Sequence, residues 1–554
     1  MSASMPLDKP NILIDELFHI RNQYGVEFAG RKRDYLEKIP AGRLKGKKAI
    51  ETYYHTLLFL RAYPDNRTIY ELAKTSLQKL EEEIKADATV RASLYNTGVT
   101  GSQVCAEFGF EITKWLRKRY GANASLDSMT APDGQILYIL SAVMPQVESE
   151  ILQDENSTWK VWLKKVTLPG EDLLDTLIQL FDQSPIRPEV KDELWSALGI
   201  NISVDQLVHE QLPPELISVH YHRSLIKKGS LEGRDDEKPV KINLTVTEAE
   251  KIIECGRMTL VRYIKEIDPI SFTDPDLVSY YQLSRGLSIA LFGMRPERRH
   301  PLDCYMGYMV FKNGLPLAYA GSWVLFDSAR IGLNVFPSFR GGESLHTFEQ
   351  ILRLHKQVYH LNRFSTDPYQ IGKHNDDGIK SGAFWIYYKL GFRPIRGDLK
   401  QMAESEAEKL ATQKGYRTPE AVLRKLADSR MEIVVGKGSC ARFDATDLSK
   451  VYAAIVRDKY AGNRLEAERD SYKKLVKYLR PPKLTDDETL RYVLHNWCVI
   501  LMNGKVELLA DKAFATTLKE IMLLKANGNE EDYMRQLRKS TQLRKLVEAG
   551  LSLI

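Results

Sequence analysis

The sequence predicts an α+β protein: a central domain on a mixed β-sheet, flanked by mainly α-helical N-terminal and C-terminal regions. Three observations carry that expectation. An aromatic and β-branched run, residues 305–311, meets Asn313-Gly314, the strongest short hairpin signal, and a second such run, residues 317–326, returns from it. Apolar residues recur at steps of three and four through residues 49–63, 68–85, 103–120 and 172–182, and helical patterning resumes over residues 447–554. Between a strand-like run, residues 329–335, and a helix-like run, residues 345–360, lies Phe336-Pro-Ser-Phe-Arg-Gly-Gly-Glu-Ser344.

In chain order, residues 1–218 read as an all-α domain. Asn66 and Asp127 are cap or turn positions, and no fixed repeat period suggests a solenoid. Residues 227–241 are rich in Lys, Gly, Asp and Glu, as a linker would be. A helix over residues 247–267 follows, with a capping box of Thr247 and Glu250. The hairpin, a third strand and the Gly341-Gly342 turn come next, then a helix and a strand, residues 363–371, that breaks at Pro368. A polar loop, residues 367–378, leads to a helix over residues 381–390, which Gly391 and Pro394 end. Residues 219–400 thus form the sheet domain. Residues 401–554 form the C-terminal region, with helices at 401–414 and 419–428, a short strand at 431–435, and a helical remainder broken at Pro481-Pro482.

A length of 554 residues provides for two to four domains, and 43% hydrophobic with 27% charged residues is the balance of a soluble globular chain. A net charge of +6 is mild for this length, so nucleic acid is not an expected partner. The basic clusters at Arg31-Lys-Arg33 and residues 43–48 read as a solvated face. Asp8 and Asp15 interrupt any apolar core of a signal peptide, and no segment reaches the roughly 20 apolar residues of a membrane span, so the expectation is a cytoplasmic protein without membrane contact. Five scattered cysteines fit a reducing compartment and show no zinc spacing; Cys304 reads as a small buried hydrophobe. The sequence leaves oligomeric state open, a homo-oligomer included.

A glycine pair at a strand-to-helix turn exposes backbone N–H groups at a helix N-terminus, which suits an anion and above all a phosphate. Arg340 adds a charged fork. Two segments, Val335-Phe-Pro-Ser-Phe-Arg-Gly-Gly342 and Ala383-Phe-Trp-Ile-Tyr-Tyr-Lys-Leu-Gly-Phe392, resemble the pyrophosphate loop and the last motif of the GNAT superfamily of acyl-CoA N-acyltransferases. The resemblance covers residues 303–394. It implies acetyl-CoA or another acyl-CoA as co-substrate, no metal, and an amine acceptor, either a small molecule or a protein. It places the cofactor on Asn334, Val335, Arg340, Gly341, Gly342, Glu343 and Ser344, with the backbone near Asn334 and Val335 stabilising the oxyanion. Tyr387, three positions before Leu390-Gly-Phe392, takes the place of the acid. The sequence departs from the family's loop in that Glu343 and Leu345 stand at its small positions, so Glu343 sets a carboxylate where phosphates would lie, or else caps the helix.

An amine nucleophile needs a proton acceptor, and Asp367, at the end of the fifth strand, is the candidate base, with His300, Asp303 and His374 within reach. The residues therefore support two readings: an acyl-CoA-dependent N-acyltransferase, or a non-catalytic binding or scaffold protein on a degenerate GNAT fold whose cleft is filled. A third, aminoacyl-tRNA-dependent transfer as in the related Fem-type enzymes, is weaker, because those carry two such units and this chain shows one.

Overall fold

The computed structural model describes residues 10–39, 44, 46–153, 158–208, 210–229, 231, 238–436, 440–479, 487–504 and 506–551. The break at Pro481-Pro482, residues 230 and 232–237 of the linker, residues 43 and 45 of the basic cluster, and residues 1–9 lie outside them.

Helices fill most of the N-terminal region. Asn66 caps helix Arg67–Ala86 by accepting from the Ile69 N–H, as its side-chain chemistry predicts. The all-α expectation for residues 1–218 is corrected: β1 (Val104–Glu107), β2 (Ala124–Met129) and β3 (Ile200–Val204) form an antiparallel sheet in the order β1-β3-β2. The run at 103–120 is a strand and then a helix, Phe110–Tyr120, divided at Gly109. Asp127 sits where the β2–β3 register shifts, not at a helix cap. β3 alternates buried and half-buried residues, the period of two that one covered face imposes.

The main sheet is mixed and ten-stranded. It comprises β4 (Val240–Ile242), β5 (Val278–Gln282), β6 (Leu287–Phe292), β7 (Cys304–Lys312), β8 (Leu315–Leu325), β9 (Ser328–Ile331), β10 (Asn334–Val335), β11 (Arg363–Thr366), β12 (Arg393–Pro394) and β13 (Met431–Val434). Its order is β12-β13-β11-β9-β8-β7-β6-β5-β4, with β10 on β8. The hairpin forms as predicted, and Asn313 and Gly314 both take positive φ, 48° and 81°. The expected third strand is broken at Gly332-Leu333 into β9 and β10. The capping box on helix Val246–Arg262 is Thr245 with Glu248, two residues earlier than expected. β13 lies between β11 and β12, so the sheet runs past residue 400 and takes an interior strand from the expected C-terminal region.

One hydrophobic core extends from Ile14 through the sheet to Val547. Helix Ser344–Tyr359 lies against it through Phe348, Ile351 and His355, with His355 Nε2 3.2 Å from Ser322 Oγ of β8. The N-terminal helices join through Arg262, which donates to Tyr54 at 2.7 Å. The C-terminal helices join through buried Lys525, which donates to Asp303 O at 2.7 Å and to Glu530 at 2.8 Å. The three-stranded sheet has its own core, which Met258 and Val261 of helix Val246–Arg262 connect to the rest. Among the described residues no helix is long and apolar enough to cross a membrane.

Candidate functional site

β9 and β11 run parallel and pair from Arg363↔Ser328 to Ser365↔Arg330. Beyond that point β10 stays on β8, through Asn334↔Tyr319 and Val335↔Ala318, and the two parallel strands diverge. The Phe336 N–H goes to Leu317 O on β8, so strand alternation turns Leu333 and Val335 towards the split and Asn334 towards β8.

The turn that follows is filled. Gly341 is exposed with φ 86°, a left-handed value that favours glycine. Gly342 is buried under Tyr63: a Cβ on it would lie 2.8 Å from that ring and its hydroxyl oxygen. Ser344 opens the helix, and Glu343 precedes it without capping it. Instead the Glu343 side chain turns inwards and is 2% exposed. Its Oε2 accepts from Lys312 Nζ at 2.8 Å, and its Oε1 accepts from Arg285 at 2.6 Å and from the Ile226 N–H at 2.9 Å. Lys227 Nζ crosses the turn and donates to Gly341 O at 2.6 Å and Gly342 O at 3.0 Å.

The expectation of free N–H groups is therefore corrected at three positions. Arg340 and Gly342 donate to Pro337 O and Phe339 O, and the Glu343 N–H points at the Tyr63 hydroxyl at 3.4 Å. Arg340 itself faces solvent, 3.6 Å from Asp377. The physical reason is the pair of cations: Lys312 is 1% exposed, and a buried ammonium beside a guanidinium needs an anion. Burial works to raise the Glu343 pKa, but Lys312, the Ile226 N–H and Arg285 overcome it and bring it down to about 2. Burial lowers Lys312 to about 8 against the pull of Glu343. Burial and then Lys312 take His222 down to about 3, so this ring, 3.1 Å from Arg285, is neutral at physiological pH.

The coenzyme A pyrophosphate does not fit this turn. The position facing the cations and the Ile226 N–H holds a carboxylate of the chain itself, and Tyr63 and Lys227 stand over the backbone that would cradle the phosphates.

The split is finished differently. The Tyr387 and Thr366 side chains are 2% and 0% exposed, and neither hydroxyl has a hydrogen-bond partner among the described residues. Burial holds the Tyr387 pKa well above the usual phenol range; the Thr366 hydroxyl and the Leu333 backbone face the phenol at a geometry short of hydrogen bonding. Tyr387 also packs in T-shaped contacts with Phe348 and Phe392. Gln370 packs against Gly332, its amide atoms 2.7–3.0 Å from where a Cβ on that glycine would lie. Asp367 is tied up by Arg330 at 3.3 Å and Arg430 at 3.7 Å, and Arg330 in turn lies over the Trp323 ring. His300 pairs with Asp303 at 3.2 Å.

The structure thus gathers Tyr387, Leu333 and Thr366 at the split, while Arg340 lies near Asp377 and Asp367 pairs with Arg330 and Arg430. Sequence reasoning missed Thr366, Lys312, Arg285, Ile226 and Tyr63. One local signal existed: Lys312 is a charge ending an otherwise apolar strand, directly before Asn313-Gly314.

Family models, curated proteins and solved structures hold no match to this chain.

Proposed function

We propose that this chain is a binding or scaffold protein built on a GNAT-like core whose cofactor cleft is closed. One observation carries the reading: Glu343 supplies, from within the chain, the negative charge that Lys312, Arg285 and the Ile226 N–H would otherwise take from a ligand. Gln370 filling the space on Gly332 agrees with it. The parallel pairing and divergence of β9–β10 and β11, and the Tyr387 position before Leu390-Gly391-Phe392, support the GNAT-like ancestry of the core.

Thermal unfolding with acetyl-CoA and longer acyl-CoAs tests it. A ligand at about 100 times its dissociation constant stabilises by about 2.7 kcal/mol, and the expected shift here is none. A clear rise in the wild-type midpoint overturns the reading.

A second reading, acyl transfer from a donor that does not use the turn, is favoured by the unpartnered hydroxyls at the split. Tyr387 stays protonated at neutral pH and is a proton donor in waiting. Amine acylation by the wild type that Tyr387→Phe abolishes would establish it.

A further inference from the structure

β12 is two residues long and meets β13 only at Arg393↔Glu432 and Pro394↔Met431. β13 continues to Val434, held on its other side by Arg363 of β11. Backbone groups alternate along a strand: the Ile395 N–H reaches Arg430 O on the β12 side, whereas the Val435 N–H reaches Asn362 O on the β11 side. By that alternation Val434 turns its N–H and C=O to the β12 side, where among the described residues no strand lies opposite. Gly391 stands at that level, and its N–H bends back to Tyr388 O.

A groove of about 970 Å³ opens along this free edge. Leu390, Ile433 and Val435 give it an apolar wall, with Ile395 and Val434 50% and 43% exposed beside them. Lys389, Arg393 and Lys400 bring three positive charges to its rim. The acid that lines it, Glu432, is neutralised by Arg363 at 2.8 Å. Arg393 is fixed by bonds to Tyr388 O and Phe392 O, at 2.9 and 2.8 Å, and stacks on the Tyr388 ring. Among the described residues Lys389 and Lys400 have no carboxylate within ion-pair distance.

The geometry points to an extended acidic peptide as the occupant. It continues the sheet at Val434 in the place that β12 leaves free, lays alternate apolar side chains on Leu390 and Ile433, and sets its carboxylates on Lys389, Arg393 and Lys400. Main-chain pairing supplies affinity, and the rim selects the charge. This inference rests on the binding reading given above, and it names that reading's partner.

The test uses the full chain and a fluorescein-labelled peptide of alternating valine and glutamate, followed by anisotropy, with the valine–lysine peptide as control. The acidic peptide binds saturably and more weakly as salt rises; the basic one does not bind. The double reversal Lys389→Glu with Lys400→Glu, both exposed, weakens binding at least about tenfold with the thermal midpoint unchanged. Val434→Pro removes the outward N–H and weakens binding with the charges intact. Equal binding of both peptides, indifference to the double reversal, or no binding at all overturns the proposal. So does self-association that the double reversal abolishes, which would put a second copy in the groove. The acyl-CoA result is independent: a shift there sinks the binding reading whatever the peptide does, and failure of the peptide alone leaves that reading standing.

Discussion

The turn at residues 340–344 and the split between β10 and β11 belong to one strand–turn–helix unit, yet they are finished in opposite ways. At the turn the charges are matched: two cations, a carboxylate, an N–H and two carbonyls close on one another. At the split two buried hydroxyls make no hydrogen bond among the described residues. A carboxylate three residues past Arg340 is enough to satisfy an anion site from inside the chain. No comparable insertion serves the hydroxyls, each of which costs roughly 1–3 kcal/mol when left unpaired. Residues that look like a motif can therefore persist while the remainder of the chain decides what occupies the site.

The largest test of this contrast is Glu343→Leu. It leaves Lys312 and Arg285 buried without an anion, and the expected loss is about 3–5 kcal/mol in urea unfolding. A loss below about 1 kcal/mol would show that the turn is not locked by charge. Acid titration asks the same question more gently. The Glu343 pKa is lower folded, about 2, than unfolded, so its contribution is complete above the ordinary carboxylate range and disappears as pH falls towards 2. That contribution is on the order of 3 kcal/mol, and the stability–pH curve of Glu343→Gln should be flatter than the wild type over that window. A parallel pair of curves would contradict the assignment.

The split should respond least and with the opposite sign. Thr366→Val and Tyr387→Phe delete hydroxyls that make no hydrogen bond among the described residues, so each should be neutral or stabilising by up to about 1 kcal/mol. Destabilisation beyond that, seen in the unfolding midpoint, would mean that a water or ligand holds those groups, and the two regions would cease to differ.

Much of the sheet was legible because its signals are local. Asn313-Gly314 fixes a hairpin within two residues, and Gly391 ends a helix with φ 101°. β1 was lost because four residues, Val104–Glu107, abut a helix with the same apolar density, and only Gly109 divides them. β13 was seen as a strand, but its place inside the sheet is a long-range matter that no local pattern encodes. The site was legible in its positions and not in its contents. Glu343 was visible as an intruder, whereas its partners Ile226 and Tyr63 lie 117 and 280 residues away in sequence. Asp367 looked available because a sequence does not reveal that Arg330 and Arg430 converge on it.

The insertion of β13 between β11 and β12 has a consequence for biosynthesis. β12 leaves the ribosome before the strand that must separate it from β11, with helices Gly397–Thr412 and Glu420–Leu426 emerging in between. Until Met431–Val434 is made, the side of β11 away from β9 has no permanent neighbour, and nascent or prematurely terminated chains carry a sticky flank there. The molecule completes its sheet out of the order in which it is translated: the last strand to be made, β13, must enter one place in from the β12 edge.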